Sequence, residues 1–332
     1  MAGKRADLVL SGGGVKGVAL VGAVAALVRA GYVPQRVSGT SAGALVGAVL
    51  AAATQSGDLS AERLEALALD IDYRRFLDPG PVERVPVVGP AWGVLTGGGI
   101  YRGDALREWV AARLAEFGVT TFADLAIDDD SLPPEQRYRL VVTVADVTLG
   151  QLIRLPWDYQ RIYGLDPDRQ SVADAVRAST AIPFFYRPAT LTSSGDRTST
   201  LVDGGLLSNF PIDSLDRTDG GPPRWPTLGV TLLPNLPAAN AEVIPALRPL
   251  HFLGSPTLLE QVVTTVLVGR DQAYLNQPRV SARTIRIDTS EVGVLDFDLS
   301  DPDKRALYQE GRRAGEDFLA TWNWPEYLAR FR

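Results

Sequence analysis

The sequence has no cysteine and only one histidine, His251, among its 332 residues. The first absence excludes a disulfide framework and cysteine-ligated zinc, and the second excludes multi-histidine metal sites. A metal centre would have to be built from carboxylates alone. A basic surplus is missing too: 33 Lys and Arg stand against 39 Asp and Glu, a formal charge of −6. A nucleic-acid binder carries the opposite footprint, so nucleic acid is not expected as a partner. The longest apolar stretches, Val18 to Val28 and Ala42 to Ala53, fall short of the ~20 residues of a spanning helix. Near the N-terminus, Lys4 and Arg5 precede an apolar segment broken by Gly12, Gly13, Gly14 and Lys16, unlike a signal-peptide core. A cytoplasmic location is expected.

What is present is a hydrophobic content of 45%, enough to bury a full core without staples. Asp7 to Leu10 reads as a strand, Ser11 to Gly14 as a tight loop, and Val15 to Ala30 as a buried helix of small residues. A second unit follows, with Val37 as a weak strand candidate, Gly39 to Gly43 as a turn and Ala44 to Ala53 as a helix. Two strand-loop-helix units in tandem imply an α/β fold with parallel strands. Asp78 to Gly103 is a Pro/Gly-rich loop holding Trp92, and Tyr101 onward enters an amphipathic helix with Leu106, Val110 and Leu114 at helical spacing. Further strands are expected at Arg139 to Val147, Thr200 to Val202, Thr227 to Leu233 and Arg283 to Asp288. Helices are expected at Ser171 to Ser179, Pro256 to Ala273 and Asp301 to Trp322. No composition shift marks a domain boundary.

Three constellations carry chemistry. Gly39-Thr40-Ser41-Ala42-Gly43 is a Gly-x-Ser-x-Gly element at a helix entry, where small neighbours allow a sharp turn that presents the Ser41 hydroxyl as a nucleophile. The same pattern suits a serine that merely caps the helix. Gly12-Gly13-Gly14-Val15-Lys16-Gly17 also satisfies Gly-x-Gly-x-x-Gly, but a dinucleotide site needs an acid some 20 residues on, and none occurs from Gly17 to Thr54. Backbone amides of that turn facing a developing oxyanion are the better reading, with close packing as the plain alternative. Asp203 sits at the end of an apolar strand, where open α/β sheets assemble their sites, whereas Asp219 sits in a solvated turn. Asp203 serves as the base for Ser41 if it is desolvated and hydrogen-bonded to the serine; otherwise it is a turn cap. The order Ser41, Asp203, His251 also fits a histidine triad.

Together, Gly12 to Gly17, Gly39 to Gly43 and Asp203-Gly204-Gly205 resemble the motifs of the patatin-like phospholipases. Val172 to Pro183 (VADAVRASTAIP), Leu201 to Ile212 (LVDGGLLSNFPI) and Thr289 to Leu299 (TSEVGVLDFDL) look like the same family. The resemblance covers roughly Asp7 to Leu319. It implies a three-layer α/β/α sandwich with a mainly parallel central sheet. The expected organisation is one domain over 1–332, with a catalytic core over 7–213 that residues 225–322 complete. It also implies hydrolysis of lipid acyl esters by a Ser41-Asp203 dyad, with the Gly12, Gly13 and Gly14 amides as oxyanion hole and Gly17, Gly39, Gly43, Gly204 and Gly205 as supporting positions. Such chemistry requires no metal or organic cofactor. The expected partners are a phospholipid or another acyl-ester lipid and transient contact with a membrane surface, for which Val85 to Val94 with Trp92 is the candidate docking loop. Some bacterial relatives are effectors that stay inactive until a partner triggers them, so an activator is left open as a further partner.

Overall fold

The computed structural model describes residues 3–80, 98–233 and 272–331. Its strands are β1 (Lys4–Leu10), β2 (Tyr32–Thr40), β3 (Gly99–Tyr101), β4 (Leu140–Asp146), β5 (Gln151–Leu155), β6 (Phe184–Tyr186), β7 (Ala189–Thr192), β8 (Thr198–Asp203), β9 (Thr227–Leu233) and β10 (Thr284–Asp288). The helices are α1 (Gly17–Arg29), α2 (Ala42–Ser56), α3 (Ala61–Leu69), α4 (Asp104–Ala115), α5 (Val172–Ser179), α6 (Gln272–Leu275), α7 (Pro278–Ser281), α8 (Asp301–Thr321) and α9 (Trp324–Phe331). An eight-stranded sheet runs in the order β10-β9-β1-β2-β4-β8-β7, with β5 also paired to β4. Every pairing from β10 across to β4 is parallel, while β5, β8 and β7 join antiparallel. Strands β3 and β6 form a separate parallel pair.

A mainly parallel sheet must be covered on both faces. Leu8 and Leu10 of β1 and Leu140 and Val142 of β4 join the main core with α1 and α2, whereas Val9 and Val141 meet Phe210, Ile212, Leu215, Leu275 and Val280 on the opposite face. Helices thus lie on both sides of a mixed α/β sheet. The small residues of α1 have a packing reason: a methyl on Gly311 of α8 would overlap the Ala19 carbonyl, so the two helix backbones touch.

The segment before Ser41 is longer than its pattern implies. A weak strand around Val37 is in fact the nine-residue β2, mostly buried although it carries Gln35, Arg36 and Ser38. Arg36 is 4% exposed and Asp7 of the adjacent β1 is 2% exposed. The guanidinium ion-pairs with the Asp7 carboxylate and donates to the Leu215 carbonyl at 2.8 Å. Burial pushes the Asp7 carboxyl up, and Arg36 opposes that rise. Arg36 is tolerated inside because its charge is paired there.

Three other boundaries move. Tyr101 belongs to β3, and the following helix starts at Asp104. The terminal helix stops at Thr321 because Trp322 turns extended (φ −72°, ψ 121°), and α9 follows as a separate element. Of the helix expected over 256–273, all but the last two positions lie outside the described residues.

Candidate active site

Ser41 joins β2 to α2 at φ 52° and ψ −120°, a conformation L-residues rarely adopt, and its side chain makes no cap hydrogen bond to the helix. That removes the helix-cap reading of Ser41 and leaves the hydroxyl free for another partner. Small neighbours make the turn sterically allowed. A methyl on Gly43 would overlap the Leu10 and Ser11 carbonyls at the end of β1, and one on Gly39 would overlap the Gly43 carbonyl. Gly17 faces the start of α2, where an added methyl would lie 3.2 Å from the Ala42 Cβ. The Ser41 N–H donates to the Ser179 hydroxyl at 2.8 Å, and that hydroxyl donates to the Thr143 carbonyl at 2.7 Å.

Asp203 ends β8, pairs with Val144 of β4 and is 2% exposed. Its Oδ1 accepts from the Gly205 N–H at 2.8 Å, so the turn-cap reading of this residue is real. Its interaction with the Ser41 side chain favours the ionised form. Burial pushes its pKa from 3.8 up to about 6, against the lowering effect of the Ser41 and Gly205 hydrogen bonds. A carboxyl with that value can hold and release a proton near neutrality. Gly204 packs against the Thr143 carbonyl, which leaves no room for a side chain beside the acid. Asp219, in contrast, is exposed; it pairs with Arg217 and accepts from the Gly221 N–H at 3.0 Å.

The glycine turn abuts Ser41: a methyl on Gly12 would lie 3.1 Å from the Ser41 Cβ. Its three amides are not equivalent. The Gly12 N–H is already spent on the Asn209 carbonyl at 3.2 Å, so in this arrangement Gly12 shapes the turn and does not offer a donor. Among the described residues no carbonyl accepts from the Gly13 or Gly14 N–H. Gly14 adopts φ +59° against the Val294 carbonyl, which accepts from the Val15 N–H at 3.1 Å. Lys16 of the same motif is 4% exposed; burial lowers its pKa and Asp288 opposes the effect.

From Ser41 an apolar cavity leads inward, enclosing about 790 Å³ of atom-free space with its open mouth included. Val18 and Val21 of α1 and Leu45 and Val49 of α2 line it, with Leu64 and Ala68 of α3 on another side and Tyr73, Phe76 and Trp109 contributing aromatic rings. Its hydrophobic and aromatic lining is that of a small-molecule site. The local patterns gave no sign of it, because its walls come from segments spread along the chain from Gly14 to Phe297. They also missed Ser179 and Asn209, although both sit within the segments VADAVRASTAIP and LVDGGLLSNFPI. His251, Trp92 and the loop Val85 to Val94 lie outside the described residues. Among the described residues, no helix is long and apolar enough to cross a membrane.

Comparison with known proteins shows the family and the fold. The profile of the patatin-like phospholipases matches residues 8–216. The uncharacterized protein YqhO of Bacillus subtilis is 35% identical over 326 residues, covering 96% of this chain and 99% of that protein. The uncharacterized NTE family protein MT2641 of Mycobacterium tuberculosis is 30% identical over 96% of this chain, which spans only 47% of that longer protein. Among solved structures, VipD from Legionella pneumophila shares the fold with a TM-score of 0.51 at 20% identity, over 97% of this chain and 67% of VipD. The chain belongs to the patatin-like phospholipase family.

Proposed function

We propose that the protein is a lipid acyl hydrolase that cleaves fatty-acyl esters through a Ser41-Asp203 dyad and an acyl-serine intermediate. The observation that carries this reading is the apolar cavity opening onto Ser41, a serine held off its helix cap against a buried carboxylate. The acyl chain lies in the cavity with its ester carbonyl at Ser41. Asp203 takes the hydroxyl proton as Oγ attacks the carbonyl carbon, and the negative charge moves onto the carbonyl oxygen. The Gly13 and Gly14 N–H groups, fixed before the reaction begins, receive that charge. On collapse of the tetrahedral species the bond to the alcohol breaks, and the Asp203 carboxylic acid returns its proton to the leaving oxygen. Water then attacks the acyl-serine with Asp203 again accepting a proton, which releases the fatty acid and regenerates the Ser41 hydroxyl. Substrate arrives from a lipid surface that the protein meets from the cytoplasm. With a net charge of −6, that encounter rests on apolar contact and not on attraction to anionic headgroups.

Labelling with a lipid-like fluorophosphonate, read by intact mass and peptide mapping, tests the assignment. Wild type and His251→Ala should both be modified at Ser41, Ser41→Ala should not, and Asp203→Asn should react at least about 100-fold more slowly. Labelling lost in His251→Ala and retained in Asp203→Asn would replace the dyad by a histidine triad. Folded wild type that neither labels nor hydrolyses esters would overturn the hydrolase reading altogether.

A further inference from the structure

The two residues of the proposed dyad come from distant strands, yet the backbones of both are held by one short turn at the end of α5. The Ser179 hydroxyl accepts from the Ser41 N–H at 2.8 Å, and two residues on, the Ala181 carbonyl accepts from the Asp203 N–H at 2.9 Å. Ser179 and Ala181 are both 0% exposed, and Thr180 between them lines the same apolar cavity as Ser41. The turn is itself fixed. Ser179 donates to the Thr143 carbonyl at 2.7 Å, and the Thr180 hydroxyl donates back into α5 at the Val176 carbonyl, 3.1 Å away. Thr143 in turn ties down the strand that leads to Ser41: its hydroxyl shares a 2.5 Å hydrogen bond with Thr40 and lies 3.3 Å from the Gly39 carbonyl.

We propose that Ser179 is a positioning residue for the reaction and that the Ser179–Ala181 turn sets the approach of Ser41 to Asp203. The inference rests on the dyad reading given above. Ser41 occupies a backbone conformation that persists only where its surroundings over-determine it. Among the described residues, the hydrogen bond from its N–H to Ser179 is the one backbone tether on Ser41 that comes from outside β2 and α2. Without the Ser179 hydroxyl, the Ser41 N–H and the Thr143 carbonyl both lose a partner where water does not reach. The elbow then relaxes about Ser41 while Asp203 stays anchored through Ala181. The hydroxyl leaves line with the carboxylate, yet neither the acyl cavity nor the Gly13 and Gly14 amides change. Such a loss weakens the chemical step more than substrate binding.

The experiment compares wild type, Ser179→Ala, Ser179→Thr and Ser41→Ala in hydrolysis of a medium-chain p-nitrophenyl ester and in fluorophosphonate labelling, with the fold of each checked by thermal unfolding. Ser179→Ala should lower kcat by about 100-fold with KM within about twofold, the scale on which a misplacement near 1 Å acts. Its rate of labelling at Ser41 should fall with kcat, and Ser179→Thr, which keeps the hydroxyl, should recover at least tenfold of it. If Ser179→Ala has a lowered melting temperature but a wild-type kcat, Ser179 is structural only and the proposal fails. If Ser179→Ala does not fold, Ser179→Cys, close in size but a weak donor and acceptor, takes its place, and a wild-type kcat there overturns the proposal equally. Retention of hydrolysis by Ser41→Ala would instead sink the dyad reading, an outcome separate from the others.

Discussion

Replacing Asp203 by asparagine should inactivate the enzyme and stabilise the fold, and the stabilisation should depend on pH in a fixed direction. Burial raises the Asp203 pKa from its ordinary 3.8 to about 6 in the folded protein, despite hydrogen bonds from Ser41 and Gly205. Below about pH 4 both folded and unfolded chains are protonated at this position, so it contributes no difference. Between pH 4 and 6 the unfolded chain ionises while the folded one keeps its proton, so the stability of wild type falls as pH rises. Above pH 6 the folded protein carries the full cost of a buried carboxylate. At about 1.4 kcal/mol per pH unit, a rise from 3.8 to about 6 amounts to about 3 kcal/mol. Asparagine keeps an oxygen that accepts from the Gly205 N–H and has no charge to desolvate. Asp203→Asn should therefore melt about 4 °C above wild type at pH 8, given an unfolding entropy of about 0.7 kcal/mol/K for a chain of this size. At pH 4 the two curves should coincide. Over the same range wild-type kcat/KM should fall tenfold per pH unit below about pH 6, as the base takes up its proton. Equal melting temperatures at pH 8, or an equal gain at pH 4 and pH 8, would refute the claim that Asp203 is a desolvated carboxylate.

Three further outcomes follow from named contacts. Because Ser41 sits at φ 52°, Ser41→Gly should be more stable than Ser41→Ala by about 1 kcal/mol in urea unfolding although both are inactive, and equal stability would mean the elbow is unstrained. Arg36→Met leaves Asp7 buried without its cation and should cost about 3–5 kcal/mol, whereas Arg36→Met with Asp7→Leu should recover most of it; a loss under 1 kcal/mol would show that water reaches the pair. The cavity follows α2 from Ser41 to Val49, about 12 Å at 1.5 Å per residue. Since an extended chain advances about 1.2 Å per bond, rates on p-nitrophenyl esters should climb to acyl chains of about ten carbons and then level off. A rate still climbing at sixteen carbons would place the end of the channel elsewhere.

Much of the site could be read from the sequence because its parts are local. A strand, a glycine turn and a helix of small residues are written in consecutive positions, so Gly12 to Gly17 and Gly39 to Gly43 announce themselves. What stayed hidden was carried by partners far along the chain. The strand before Ser41 reads as weak because Arg36 is charged, and only Asp7, brought alongside by the parallel pairing of β1 and β2, explains its burial. Gly12 reads as one of three equal amide donors, yet Asn209 takes its N–H. Asp203 posed a choice between turn cap and base: Oδ1 does cap the turn through Gly205, and the base role proposed above draws on the burial that raises its pKa to about 6. Asp219, with the same Asp-Gly-Gly pattern, was separable by its neighbours: polar Arg217 and Thr218 on one side and Pro222 on the other, against Leu201 and Val202 before Asp203.

The costs in this fold are not spread evenly, and their placement bears on what the serine is for. A serine needed only to start α2 would put its hydroxyl on the helix amides and take an extended backbone, as Ser60, Ser171 and Ser300 do at the starts of α3, α5 and α8. Ser41 does neither: it holds a left-handed φ and makes no cap. An aspartate needed only to close a turn would do so as well at the surface, as Asp219 does, without the penalty that lifts Asp203 to about 6. Two unfavourable choices, one of backbone and one of burial, meet beside an apolar cavity. Packing alone accounts for neither, since glycine at 41 and asparagine at 203 would satisfy the same surroundings at lower cost. The proposed reaction, which needs a hydroxyl free of the helix cap, a weakly acidic carboxyl and a dry place for an acyl chain, accounts for both.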